Sequence, residues 1–240
     1  MNKKNYEPFN FKKFSITQNN AAMKIGTDGI LLGAWAKTSN INNGLDIGTG
    51  TGVISLMLCQ RFSEIQIDSI ENSESALKDA SINIDNSQWK NRINLINENF
   101  INYIPKIKYD LIISNPPFFS KSLKPENLER SRARHQEDLS YKNILKFSKK
   151  YLNLDGSLNI IIPFNDKEEA YNLSKNYNLN LVRQCIVSSK PNKKPHRLLM
   201  EFSFRKEETK NEYLTIEEHG RHQYSEDYKK LTREFYTIFN

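Results

Sequence analysis

Two cysteines in 240 residues leave nothing from which to build a disulfide framework. Cys59 falls in a helical pattern and Cys185 in a strand-like one, both among apolar neighbours, which predicts core thiols. The four histidines, His135, His196, His219 and His222, have no cysteine or carboxylate at ligand spacing, so no metal is expected. Long apolar runs are missing as well: none approaches the roughly 20 residues that cross a bilayer. The segment "MNKKNYEPFNFKKF" is basic but lacks the apolar stretch of a signal peptide, and a cytoplasmic protein without a membrane partner is expected.

Repeats and low-complexity tracts are absent too. A chain of 240 residues that is 38% hydrophobic and 26% charged suits one domain with a substantial core. Acidic residues are in short supply, 28 against 35 Lys and Arg, for a net charge of +7. That imbalance favours phosphate-rich partners, since lysine and arginine attract nucleic-acid backbones whatever their sequence.

Short β-like runs recur at 43–48, 65–71, 93–97, 109–115, 157–163, 181–189 and 198–205. Helical patterns lie between most of them, such as "GVISLMLCQRF", "SESALKDASINI" and "YKNILKFSKKYL". Ser73 suits a helix start, and Asp155 with Gly156 reads as a turn from helix into strand. Several runs are apolar on both faces, as buried parallel strands are. The pattern predicts an α/β doubly wound, Rossmann-like sheet of seven strands, mostly parallel, with a C-terminal antiparallel hairpin closing one edge. Residues 1–40 and 206–240 read as extensions wrapped on a core of 41–205, in a monomer. Tyr228, Leu231, Phe235 and Phe239 recur at helical spacing and read as a packing stripe.

"LDIGTGTGVISL" carries Asp46, Gly48, Gly50 and Gly52 between a strand and a helix. Glycines there allow a tight turn and close approach of a ligand, and the helix start offers free N–H groups. The spacing is G-x-G-x-G, with Val53 where the dinucleotide fingerprint requires glycine, which disfavours a pyrophosphate binder. Asp46 would repel a diphosphate but suits a cationic ligand such as S-adenosylmethionine. Glu71 ends the next strand, where a carboxylate can accept from both ribose hydroxyls; a solvated strand-end charge is the alternative. Asn99 and Phe100 follow the third strand, placed to bond the adenine edge and pack on its ring, though Asn99 also suits a simple turn.

"YDLIISNPPFF" then sets Asn115 at the end of the fourth strand, beside the first, where ligands of such sheets bind. Pro116 and Pro117 have fixed φ and no backbone donor, so the loop is rich in acceptors. An acceptor-only cradle suits an exocyclic amine, with Phe118 stacked on the ring that carries it. Accepting both amine hydrogens at Asn115 Oδ1 and the Pro116 carbonyl favours a pyramidal nitrogen able to attack a sulfonium methyl.

With "LDIGTGTG" and "NPPF" together, the chain resembles the amino-group methyltransferases that use S-adenosylmethionine. "FSITQNNAAMKIGTDGILLGAW", "SRARHQEDLSY", "KKPHRLLMEFSF" and "YKKLTREFYTIF" extend the resemblance over nearly the whole chain, to the bacterial family that methylates N6 of adenine 37 in valine tRNA. The resemblance implies a tRNA anticodon loop as partner and Thr27 and Asp28 as cofactor-side residues, though helix capping suits either equally. It also marks a departure, because the family's usual adenine-binding Asp is here Asn99.

Basic residues interleaved with aromatics suit an unpaired RNA loop. Three clusters fit: Lys12 and Lys13 with Lys3 and Lys4; Lys121, Arg130, Arg132 and Arg134 after the proline motif; and Lys193 and Lys194 with Lys190 and Arg197. Protein glutamine, DNA adenine, or tRNA binding without catalysis are the rival readings. A paired DNA base needs flipping, and the length leaves no room for a target-recognition domain.

Overall fold

The computed structural model describes residues 7–37, 41–117 and 138–239. A small sheet pairs β1 (Phe9–Asn10) with β2 (Ser15–Ile16). The central strands are β3 (Asn43–Ile47), β4 (Gln66–Glu71), β5 (Ile93–Asn97), β6 (Tyr109–Ser114) and β7 (Leu152–Pro163). β8 (Asn180–Ser188), β9 (Arg197–Ser203) and β10 (Lys210–Thr215) complete the large sheet. Helices are α1 (Thr27–Trp35), α2 (Val53–Arg61), α3 (Glu74–Asp85), α4 (Tyr141–Tyr151), α5 (Lys167–Lys175) and α6 (Glu226–Thr232).

The large sheet has the order β10-β8-β9-β7-β6-β3-β4-β5. Every pair in it is parallel except those of β9, which runs against both β7 and β8. The α/β expectation holds, with two corrections. The sheet has eight strands rather than seven, because the polar "KNEYLT" pairs in parallel with β8. An edge strand with one buried residue, Leu214, has no apolar alternation to announce it. The antiparallel pair also does not close an edge: β9 inserts between β7 and β8, which leaves β10 outermost.

A third correction concerns Asp155 and Gly156, which lie inside β7 rather than in a turn before it. The strand begins directly after α4, and its pairing with β6 shifts register between Tyr109 and Leu111. Gly156 is required there, since a Cβ would stand 3.0 Å from the carbonyl oxygens of both Tyr109 and Asp110.

The sheet separates two apolar layers, and β6 shows why. Leu111 and Ile113 face the layer of α1 and α2, whereas Ile112 faces that of α4 and α5, and all three are fully buried. Each such side chain contributes about 1.5–3 kcal/mol of burial. Cys59 and Cys185 are buried in the first layer, and burial pushes both thiols up to about 12, so they are inert core groups.

The expected core of 41–205 thus leaves out a sheet strand, β10, while residues before β3 and after β10 pack on that same layer. α1 lies on α2, with Gly33 so close to Met57 that a Cβ would sit 2.9 Å from its sulfur. Asp79 accepts from the backbone N–H groups of Asn20 and Ala21, and Asn83 bonds both the N–H and the carbonyl of Thr17, so α3 holds residues 17–21. At the other end Tyr228, Phe235 and Phe239 are buried, but α6 stops at Thr232 and the last two are carried by turns. The extensions also meet: the Lys12 N–H donates to the Phe235 carbonyl. Among the described residues no helix is long and apolar enough to cross a membrane.

Candidate active site

β3 ends at Ile47, and the chain reaches α2 through Gly48, Gly50 and Gly52 with φ of +72°, +60° and +82°. Those are left-handed values that L side chains rarely adopt, so the glycines are conformational requirements. Gly48 is doubly constrained, because Leu139 Cδ2 lies 2.6 Å from where a Cβ would stand. Next to Gly50, by contrast, the same construction meets among the described residues just the Gly48 carbonyl, at 4.0 Å.

Asp46 is fully buried beneath this loop. Its Oδ2 accepts from Thr49 Oγ1 at 2.7 Å and from Ser55 Oγ at 2.8 Å, tying the loop to the first turn of α2. Its Oδ1 is buried and has no hydrogen-bond partner among the described residues. Burial pushes the carboxyl up to about 6 against the two hydroxyl bonds that favour its charge, and the nearby Glu71 carboxylate adds to the rise.

At the end of β4, Glu71 Oε2 accepts from the Gly50 N–H at 3.0 Å, and Oε1 accepts from the N–H groups of Asn72 and Ser73. Beyond it a narrow cleft runs between Gly48, Glu71, Asn99, Phe100, Asp138 and Leu139. Asn99 accepts from the Ile101 N–H and donates through Nδ2 to Asp138 Oδ2 at 2.7 Å. Phe100 is buried with its ring against Phe147, at 5.3 Å between centroids, and lines the cleft.

Asn115 follows β6 directly, at the carboxyl end of the sheet beside β3. Ser114 Oγ donates to the Ile47 carbonyl at 2.8 Å, which locks the start of the proline motif against the start of the glycine loop. Asn115 Oδ1 is buried and accepts no hydrogen bond among the described residues. A Cβ on Gly29 would lie 3.9 Å from Asn115 Nδ2, so the first turn of α1 flanks the motif. Thr27 and Asp28 open that same turn, two and one residues before Gly29. Neither caps α1: Gly26 holds the cap position, and Asp28 pairs with Arg197 of β9 at 2.9 Å.

Asp46, Glu71, Asn99 and Asn115 all come from strand ends on one edge of the sheet, as the sequence reading expected. Asp138, Leu139 and Arg197 join them without having been assigned a cofactor-side place from the sequence. Phe118, Lys121, Arg130, Arg132 and Arg134 lie outside the described residues. Lys193 and Lys194 are exposed in the connection from β8 to β9, at the same carboxyl end of the sheet. Lys12 and Lys13 are exposed at the β1–β2 turn, next to the C-terminal segment.

The donor set suits S-adenosylmethionine. A cationic ligand with an ammonium and a sulfonium matches the buried carboxylate at position 46, whose Oδ1 is orphaned among the described residues. Among the described residues no side chain crowds Gly50, so a ligand could approach the backbone there.

The family model for the methyltransferase small domain matches residues 22–180, a span that includes the glycine loop, Glu71, Asn99 and the proline motif. The chain belongs to that family. Among curated relatives of this methyltransferase is the tRNA1(Val) (adenine(37)-N6)-methyltransferase of Bacteroides thetaiotaomicron, 43% identical over 95% of this chain and 96% of the relative. The enzyme of the same name from Histophilus somni is 39% identical over 97% of this chain and 98% of its own. Among solved structures, a predicted O-methyltransferase from Agrobacterium tumefaciens superposes with a TM-score of 0.67 at 15% identity, covering 87% of this chain and 96% of that one. A class I S-adenosylmethionine-dependent methyltransferase from Listeria monocytogenes, described as putative in its name, gives 0.55 at 12% identity, over 78% and 62%. At those identities the two structures speak to fold alone.

Proposed function

We propose that this protein methylates the exocyclic N6 amine of adenine 37 in a valine tRNA, with S-adenosylmethionine as donor, as the names of its curated relatives state of them. One observation carries the chemistry: Asn115 Oδ1 is a buried acceptor without a partner among the described residues, at the strand end where the ligand of such a sheet sits. An orphaned buried acceptor is costly, and an amine N–H is the group that satisfies it.

When bound, S-adenosylmethionine supplies an electrophilic methyl on a cationic sulfur. The chain's own work is to hold the acceptor amine. Asn115 Oδ1 and the Pro116 carbonyl each accept one amine hydrogen, which draws the nitrogen lone pair out of conjugation with the purine ring. Pro117, lacking a donor, adds no competing hydrogen-bond donor to that loop. Phe118 is assigned to stacking on the target base. The proton departs once the nitrogen has become cationic, so no strong base is required beside it. Lys193 and Lys194 at the carboxyl end, with Lys12, Lys13, Lys121, Arg130, Arg132 and Arg134, are proposed to hold the anticodon loop through its phosphates. An anticodon-loop base is already unpaired, which suits one compact domain acting as a monomer.

Incubating the protein with methyl-labelled S-adenosylmethionine and unmodified tRNA, then digesting to nucleosides, tests this reading. Label in N6-methyladenosine is expected. Label in protein glutamine or in DNA, with none in tRNA, would replace the tRNA assignment by one of the rivals.

A further inference from the structure

Adenine offers an exocyclic amine as hydrogen-bond donor, and a pocket that reads it must present an acceptor. In this chain the second residue beyond β5 is an amide, Asn99, whose neutral oxygen already takes the Ile101 N–H at 3.1 Å and keeps one lone pair. Its Nδ2 is a donor and so cannot take an amine hydrogen. At the near end of the cleft both oxygens of Glu71 receive backbone N–H groups. Asp138 supplies what Asn99 lacks: its Oδ2 sits 2.7 Å from Asn99 Nδ2, and both side chains line the cleft with Phe100. A carboxylate has about four lone-pair positions, and this bond uses one.

We infer that Asp138 is a positioning residue for the cofactor, the acceptor for the adenine amine of S-adenosylmethionine, held in place by Asn99. This rests on the methyl donor named above. The pair divides between two side chains, 39 residues apart in sequence, a task one acidic side chain at position 99 would perform alone. The amide at 99 then has a reason: an aspartate there would set two carboxylates within hydrogen-bond distance, and like charges so close disfavour each other.

The test measures binding of S-adenosylhomocysteine and of its analogue with unsubstituted purine in place of adenine, by calorimetry, to the full chain. The parent protein is expected to prefer the adenine compound about tenfold or more, the effect of one hydrogen bond to a charged group. Asp138→Ala is expected to bind both compounds equally. Asn99→Asp alone is expected to lose affinity for the adenine compound, and Asn99→Asp combined with Asp138→Asn to recover it together with the preference over the purine compound; a pair that merely supported the loop would restore affinity for both compounds alike. An unchanged adenine preference in Asp138→Ala, or no rescue in the double variant, overturns the assignment. Failure of the parent protein to bind either compound overturns the donor itself, a distinct outcome.

Discussion

Glu71 Oε2 accepts the backbone N–H of Gly50 at 3.0 Å, so the end of β4 and the middle of the glycine loop are one rigid unit. The same carboxylate holds the N–H groups of Asn72 and Ser73 at the start of the connection to α3. Besides the ribose contact expected of it, Glu71 sets the shape of the glycine loop proposed to hold the cofactor. Glu71→Ala is therefore expected to weaken S-adenosylmethionine binding by about 10- to 100-fold, through loss of charge-assisted bonds of about 1.5–3 kcal/mol. Calorimetric titration checks this, and wild-type affinity in the variant would show that the loop keeps its shape without the carboxylate.

Asn115→Ala removes the orphaned acceptor while leaving the glycine loop, Glu71 and the Asn99 cleft in place. Methyl transfer is expected to fall by about 10²–10³, the cost typical of one transition-state hydrogen-bonding group, with cofactor affinity within a few-fold of the parent. Single-turnover transfer to tRNA and calorimetry together separate the two effects. Loss of both in parallel would move Asn115 from amine recognition to cofactor binding.

Asp46 makes stability depend on pH in a known direction. Its carboxyl titrates near 6 in the folded chain against 3.8 for a free side chain, because burial disfavours the charge. Between those values the folded state keeps a proton that the unfolded chain has released, so stability falls as pH rises through that window. The total is about 3 kcal/mol, at 1.36 kcal/mol per pKa unit. Asp46→Asn lacks this penalty. Denaturant midpoints at pH 4 and pH 7 are expected to show the variant gaining on the parent by about that amount at the higher pH. A cationic ligand competes with the same proton, so donor affinity in the parent should rise with pH through about 6; a flat profile would remove Asp46 from the ligand's surroundings.

How legible these features were in the sequence follows from their range. β3 to β7 announce themselves because runs such as "LIIS" are apolar on both faces, and the three glycines because left-handed turns demand them. β10 was missed because an edge strand buries so little, and Asp155 with Gly156 misled because a turn dipeptide also serves where two strands crowd. The position of β9 between β7 and β8 depends on pairing across the sheet, which no local pattern encodes. The partnership of Asn99 with Asp138 is equally non-local: the sequence showed an amide where the family it resembles has an acid, and nothing in it pointed to residue 138.

The far end of the sheet offers a variant that separates stability from chemistry. Arg183 Nε bonds Glu201 Oε2 at 2.7 Å with both side chains nearly sealed from water. The guanidinium lies 3.6 Å over the Trp35 ring and donates to the Trp35 carbonyl. Arg183 stands early in β8 and Glu201 late in the reversed β9, which places the pair at the amino end of the parallel strands, opposite Asn115. Desolvation makes an intact pair worth little, and deleting Glu201 strips Arg183 of its shortest, best-buried partner while leaving it Glu212 Oε2 at 3.6 Å. Glu201→Ala is thus expected to cost about 1.5–3 kcal/mol of folding stability, the loss of one buried charge-assisted bond, read from denaturant unfolding. Where the variant remains folded, methyl transfer per folded molecule should match the parent. A fall in transfer by itself, at full stability, would mean that α1, which ends on Trp35 and begins beside Asn115, transmits the state of the ion pair to the site.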